Sequence, residues 1–181
     1  DVTERMLAEG ALRALTAIFD ATTDYVVQLD TKGRITYMNP AARRRTGVAL
    51  DAPLQHRTLE DFNPPQTLDR FISEVWPAAV ATGVWVGESL VWDAERREFP
   101  VSHIVIAHRD KDGRVEYFSA LMRDISAAKA AEQAVRDSEH RLRMVTDNLP
   151  VLISYLDRDL CFRFVNRTHQ QCFGTEAAPQ I

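Results

Sequence analysis

Displaced by 127 residues, the chain falls into register with itself, and this self-similarity constrains the fold more than any single motif does. Asp20, Asp30, Asn39 and Gly47 fall on Asp147, Asp157, Asn166 and Gly174. Leu15 and Leu29 meet Leu142 and Leu156. Ile18, Val26, Ile35, Tyr37 and Met38 meet Val145, Ile153, Phe162, Phe164 and Val165, so apolar character persists where identity does not. The spacing holds without a gap. A first copy can run from about Ala11 to Ile125, whereas the second has only the 44 residues from Ser138 to Ile181. The expected division is a helical lead-in (1–10), a complete domain-sized unit (11–125), a helical connector (126–149) and the truncated start of a second unit (150–181). Two strands alone are marginal in water, so the second copy is expected to be ordered by packing against the first domain or another molecule rather than by itself.

Within the first copy, Leu12, Leu15, Ile18 and Phe19 recur at helical spacing and lead into the apolar run Tyr25–Leu29, which reads as a strand. Thr31, Lys32 and Gly33 form the turn, and Ile35, Tyr37 and Met38 the return strand. Asn39 and Pro40 open a short helix as N-cap and first residue, and Gly47 closes it. From Pro65, the residues Leu68, Phe71, Ile72, Val75 and Ala79 share one helical face, with Gly83 as the stop and Pro77 kinking the end. Three strand-like runs follow, Trp85–Trp92, Glu98–Arg109 and Arg114–Ile125, separated by turns such as Asp110–Gly113.

Past Ser126 the period changes. Ala128, Ala131, Val135, Ser138, Leu142, Val145 and Leu149 alternate spacings of three and four, the seam of a coiled coil. Ala and Ser make its first half weak, so Val135, Leu142, Val145 and Leu149 carry the expected homodimer contact. A lone amphipathic helix is the alternative.

Composition and motifs remove several function classes. The net charge is −4, which leaves no basic field for nucleic acid. No apolar run approaches the roughly 20 residues that span a bilayer. Two cysteines, Cys161 and Cys172, make no disulfide framework and point to a reducing, cytoplasmic setting. No phosphate-binding loop or catalytic signature occurs, so this stretch is not expected to be an enzyme. The five histidines have no zinc spacing, so no metal is expected, and His140 reads as a surface residue.

The stretches Asp30–Asn39, Gly47, Trp85–Glu88, Phe99–Val101, Arg109–Gly113 and Arg123–Ser126, in that order and spacing, resemble a PAS domain with its PAC motif, a sensory module of bacterial signalling proteins. Residues 138–174 resemble the opening of another. The resemblance implies an α+β fold: a five-stranded antiparallel sheet with short helices on one face, followed by the connector and a truncated second unit.

PAS relatives hold haem, flavin or metabolites between helices and sheet, and each can be tested against these residues. Pro65 to Gly83 contains no His for haem, and no Cys precedes Cys161 for flavin photochemistry. With the Arg109–Gly113 turn aligned to the flavin-binding relatives and alternate residues taken along each strand, the resemblance implies Ser89, Val91, Val101, His103, Val105, Phe118, Ala120 and Met122 on the inner face as a candidate ligand pocket. Val91, Val101 and Met122 stand where flavin-binding relatives carry amides, so haem and flavin are both disfavoured and no cofactor is expected. His103 is either a core histidine bonded to a backbone carbonyl or a group that orients a ligand.

Two readings of function remain. One is a sensory input and dimerisation module that binds an unidentified small molecule and relays through the helix beginning near Arg123, Asp124 and Ser126. In the other, a ligand-free module with a filled core only relays strain. A cavity of about 300 Å³ or more favours the first. Asp124 is expected to cap the helix or pair with Arg123 or Arg109. The resemblance implies a downstream output domain, most often a histidine kinase, with diguanylate cyclase as the alternative.

Overall fold

The computed structural model describes residues 21–174 together with Ala17 and Phe19. Leu12, Leu15 and Ile18 of the expected leading helix lie outside the described residues, as do residues 175–181. The chain divides into two units, one ending at Ser126 and the other beginning at Ala127.

In the first unit, β1 (Tyr25–Asp30) and β2 (Ile35–Met38) form a hairpin, followed by α1 (Pro40–Thr46) and a 3-10 turn at Leu59–Asp61. A helical run follows as α2 (Pro65–Arg70), a π turn (Phe71–Val75) and α3 (Trp76–Thr82). Then come β3 (Val84–Trp92), β4 (Glu98–Arg109) and β5 (Val115–Asp124). The five strands form one antiparallel sheet in the order β2-β1-β5-β4-β3, so the first hairpin is closed against the last strand. Tyr25 pairs with Met122, and Asp30 with Tyr117.

Burial alternates along the strands, as a half-covered antiparallel sheet requires. Trp85 and Val91 of β3, Phe99, Val101, His103, Val105 and Ala107 of β4, and Phe118 and Ala120 of β5 are buried. Phe71, Val75 and Ala79 pack with Trp85, Val105, Ala107, Phe118 and Ala120 from the helical side, while Val91, Phe99 and Val101 form a second cluster. Trp76 stacks on Phe118 with ring centroids 5.8 Å apart.

The helical run departs from the expected face. Ile72 is 66% exposed rather than buried. Pro77 has no N–H to return to the preceding turn, and the helix widens just before it, with the Trp76 N–H reaching Phe71 O in a π turn. The extra residue keeps Phe71 and Val75 inward and turns Ile72 to solvent. Pro77 thus stands at the start of α3 and not at a kinked end.

Four hairpin turns share one construction. Asp30, Asp93, Asp110 and Asp157 each accept, through Oδ1, the backbone N–H groups two and four residues ahead. The fourth residue of each turn has positive φ: Gly33 (78°), Arg96 (61°), Gly113 (82°) and Leu160 (61°). Short acidic side chains favour this local bonding, and glycine fits the left-handed position without strain.

The connector helix α4 spans Ser126–Asp147. Val135, Leu142 and Val145 lie on it and are exposed, whereas Leu149, the expected last seam position, falls beyond its end. The second unit adds the hairpin β6 (Ser154–Leu156) and β7 (Phe162–Val165), then α5 (Arg167–Phe173). Among the described residues no helix is long and apolar enough to cross a membrane.

The repeat extends to individual hydrogen bonds. Asn39 Oδ1 accepts from the N–H groups of Val26 and Ala42, while its Nδ2 donates to the carbonyls of Phe19 and Asp24. Asn166 accepts from Ile153 and His169 and donates to Thr146 and Val151, so each of the four partners is displaced by the same 127 residues. Both asparagines are fully buried N-caps. Asn166 heads a formal glycosylation sequon, yet its amide is wholly engaged within the fold.

Candidate functional site

The short helix α1 ends in Arg43, Arg44 and Arg45, three cations that complement the negative end of the helix dipole. Their roles then diverge. Arg43 stitches the following loop, donating to the carbonyls of Met38, Ala49 and Ala52. Arg45 turns toward the sheet, its guanidinium 4.0 Å above the Phe99 ring and its Nη2 3.3 Å from Asp124 Oδ2. Phe99 in turn meets Tyr25 edge-on at 6.0 Å. Burial, and then the charge of Asp124, push the Tyr25 hydroxyl pKa upward.

Asp124 works in two directions. Its Oδ1 accepts the Ser126 N–H at 2.8 Å, holding the first residue of α4, while Oδ2 faces Arg45. The partners proposed from sequence are engaged elsewhere. Arg123 chelates Asp24 through Nε and Nη2, and this hydrogen bond holds the Asp24 carboxyl below its ordinary range. Arg109 donates to the carbonyls of Gly113 and Val80. Strand alternation puts Arg123 and Asp124 on opposite faces of β5, so Asp124 meets the helix-side arginine and not its own neighbour.

Between helices and sheet lies a cavity of about 50 Å³. Arg45 lines it with Tyr25, Phe71, Phe99 and His103 among others. His103 is 2% exposed, and its Nδ1 lies 3.1 Å from Ser89 Oγ, a hydroxyl rather than the backbone carbonyl expected. The rings of Phe71 and Trp85 pack against it at 5.5 and 6.0 Å. Its Nε2 is buried without a hydrogen-bond partner, as is Arg45 Nε. Burial pushes the imidazole pKa down to about 4, so His103 is neutral at physiological pH. Among the described residues no three His, Cys, Asp or Glu side chains are grouped to hold a metal ion.

The profile of the PAS fold matches residues 19–130. The chain belongs to the PAS fold family. A curated relative, the nitrogen fixation regulatory protein of Klebsiella pneumoniae, is 27% identical over 128 residues, which are 71% of this chain and 26% of that protein. The chain thus matches about a quarter of that relative's length. Among solved structures, the PAS domain of a Colwellia psychrerythraea protein superposes with a TM-score of 0.59 at 19% identity, covering 65% of this chain and 98% of that one. A sensory box histidine kinase/response regulator from Burkholderia thailandensis superposes with a TM-score of 0.51 at 16% identity, covering 67% and 92%.

Against the PAS frame, the eight inner-face residues are all on the helix-facing side of the sheet, but only Val91, His103, Ala120 and Met122 line the cavity. Val101, Val105 and Phe118 are packed core, and Ser89 supports His103. Reasoning from strands alone missed Arg45, Phe71 and Phe99. The row of three arginines was the available signal, but nothing local distinguishes the one that turns inward.

Proposed function

We propose that the chain is the sensory input and relay module of a larger signal-transduction protein, in which packing changes around the interior reach the connector through Arg45, Asp124 and Ser126. One observation carries this reading: a single carboxylate joins an arginine that lines the cavity to the first N–H of α4. The cavity, at about 50 Å³, is far below the roughly 300 Å³ of a usual cofactor or metabolite pocket, which supports a nearly filled relay core without haem or flavin. The fragment itself performs no chemistry in this reading.

The repeated Asn166 network supports taking residues 138–174 as the opening of a second PAS unit, and the Asp124–Ser126 hydrogen bond between β5 and α4 supports reading Arg123–Ser126 as the end of a PAC motif. The exposed Leu142 and Val145 support a homodimer through α4. A cytoplasmic histidine kinase is the proposed context, supported by the fold shared with the Burkholderia sensor.

Hydrogen exchange of the Asp124→Ala chain tests the relay. Amides of Ser126 and the first turn of α4 should exchange faster while His103 and Phe118 in the sheet keep their protection. Unchanged exchange at Ser126 would remove Asp124 from the mechanism.

A further inference from the structure

The cavity has a chemistry that its size conceals. Most of its wall is apolar, yet two nitrogens at residues lining it, Arg45 Nε and His103 Nε2, are buried and have no hydrogen-bond partner. A buried polar group left unsatisfied loses its hydration without replacement, so two at one small cavity mark a place built to receive something. Arg45 Nε–H can only donate. The Ser89 hydroxyl can donate to His103 Nδ1, and in that tautomer the ring proton sits on Nε2. Both orphans then call for an acceptor, and the guanidinium calls for a negative one. Holding a water takes about 10–15 Å³ of such space, so about 50 Å³ admits about four water-sized groups.

We infer that this cavity binds a short-chain monocarboxylate, its oxygens accepting from Arg45 Nε–H and His103 Nε2–H and its alkyl end against the apolar wall. The inference rests on the relay reading above and names the ligand class for the same site. The bound anion shares the one guanidinium that also faces Asp124, so ligand and Asp124 compete for a single positive charge. Binding at the interior thereby loosens the Arg45–Asp124 pair and reaches the Ser126 amide.

The test is an NMR titration of the intact 181-residue chain with acetate and propionate, at ionic strength held constant with chloride, alongside propionamide and nitrate. Saturable shifts at His103 and Ser126 are expected for the carboxylates only. Arg45→Gln and His103→Phe should each weaken binding by about tenfold or more, the scale of a charge-assisted hydrogen bond. Arg45→Lys, which keeps the charge but lacks the Nε donor, should also weaken it, and spectral dispersion confirms that each variant is folded. Asp124→Asn should strengthen binding, the signature of competition that a merely structural Arg45 cannot produce. Absence of saturation, equal binding of propionamide or nitrate, or no strengthening in Asp124→Asn would overturn the inference. If that happens while Asp124→Ala still unprotects Ser126 in the unliganded chain, the ligand class falls alone and the relay stands.

Discussion

Replacing Asn39 with alanine probes the joint that holds the β1–β2 hairpin to α1. The side chain is fully buried and makes four hydrogen bonds of 2.9–3.0 Å, two accepted and two donated. At a net 0.5–1.5 kcal/mol each, their loss amounts to about 4 kcal/mol, the lost N-cap bond to Ala42 included. That is a large fraction of the roughly 5–15 kcal/mol that holds a domain together. Urea unfolding followed by tryptophan fluorescence isolates the effect, because Trp76, Trp85 and Trp92 are the chain's three tryptophans and all lie in the first unit. Asn39→Ala should lower the midpoint by the equivalent of about 4 kcal/mol at unchanged slope. Asn166→Ala removes the equivalent four bonds from the second unit and should leave the fluorescence transition in place. A loss below about 1 kcal/mol for Asn39→Ala, or an equal one for Asn166→Ala, would refute the reasoning.

Gly47 sits at φ 73°, with an added Cβ only 2.8 Å from Ala94 Cβ, so Gly47→Ala should destabilise the first unit by about 1–3 kcal/mol in the same unfolding assay. Leu160→Gly should instead stabilise the second unit by up to about 1 kcal/mol, read by circular dichroism, since φ 61° strains leucine but not glycine. Burial holds His103 at about 4 in the folded state, against the ordinary 6.5 that the unfolded chain regains. Its contribution is fully present above pH 6.5 and is lost as pH falls toward 4, because only the unfolded chain takes up the proton in that window. The loss totals about 3 kcal/mol, and denaturation midpoints of His103→Leu should lack that slope. Leu142 is 63% exposed on α4, and Leu142→Glu should convert a sedimenting dimer to monomer, with Val135→Glu doing less beside its small neighbours.

The strands were legible as apolar runs between turn residues, whereas burial alternates along them without the residue types doing so, since Val86, Leu90 and Ile106 are apolar on the open face. The caps at Asn39 and Gly47 were legible because their residue types carry the geometry. The turns at Arg96 and Leu160 were placed only by the strand runs that flank them, because positive φ falls there on residues other than glycine and the aspartate construction carries no glycine signal. Ile72 was misplaced because a π turn shifts helical phase and leaves no mark in the 3.6-residue pattern beyond the proline that follows. The Arg45–Asp124 pair joins residues 79 positions apart (124 − 45), and local spacing holds no information about which of three arginines meets that carboxylate. Inner-face residues could be listed from alternation, but whether they enclose space depends on Phe71 and the helices, which strand reasoning does not see.

A double-mutant cycle of Arg45→Met and Asp124→Ala, read as hydrogen exchange at the Ser126 amide, shows whether one carboxylate joins the interior to the connector. Arg45 also lies over Phe99, next to Pro100, whose carbonyl accepts the Ile125 N–H, and the cycle separates that route from the one through Asp124. Loss of protection in each single variant, with no further loss in the double, is the predicted result. Full protection of Ser126 in Arg45→Met, or effects that simply add, would contradict the account.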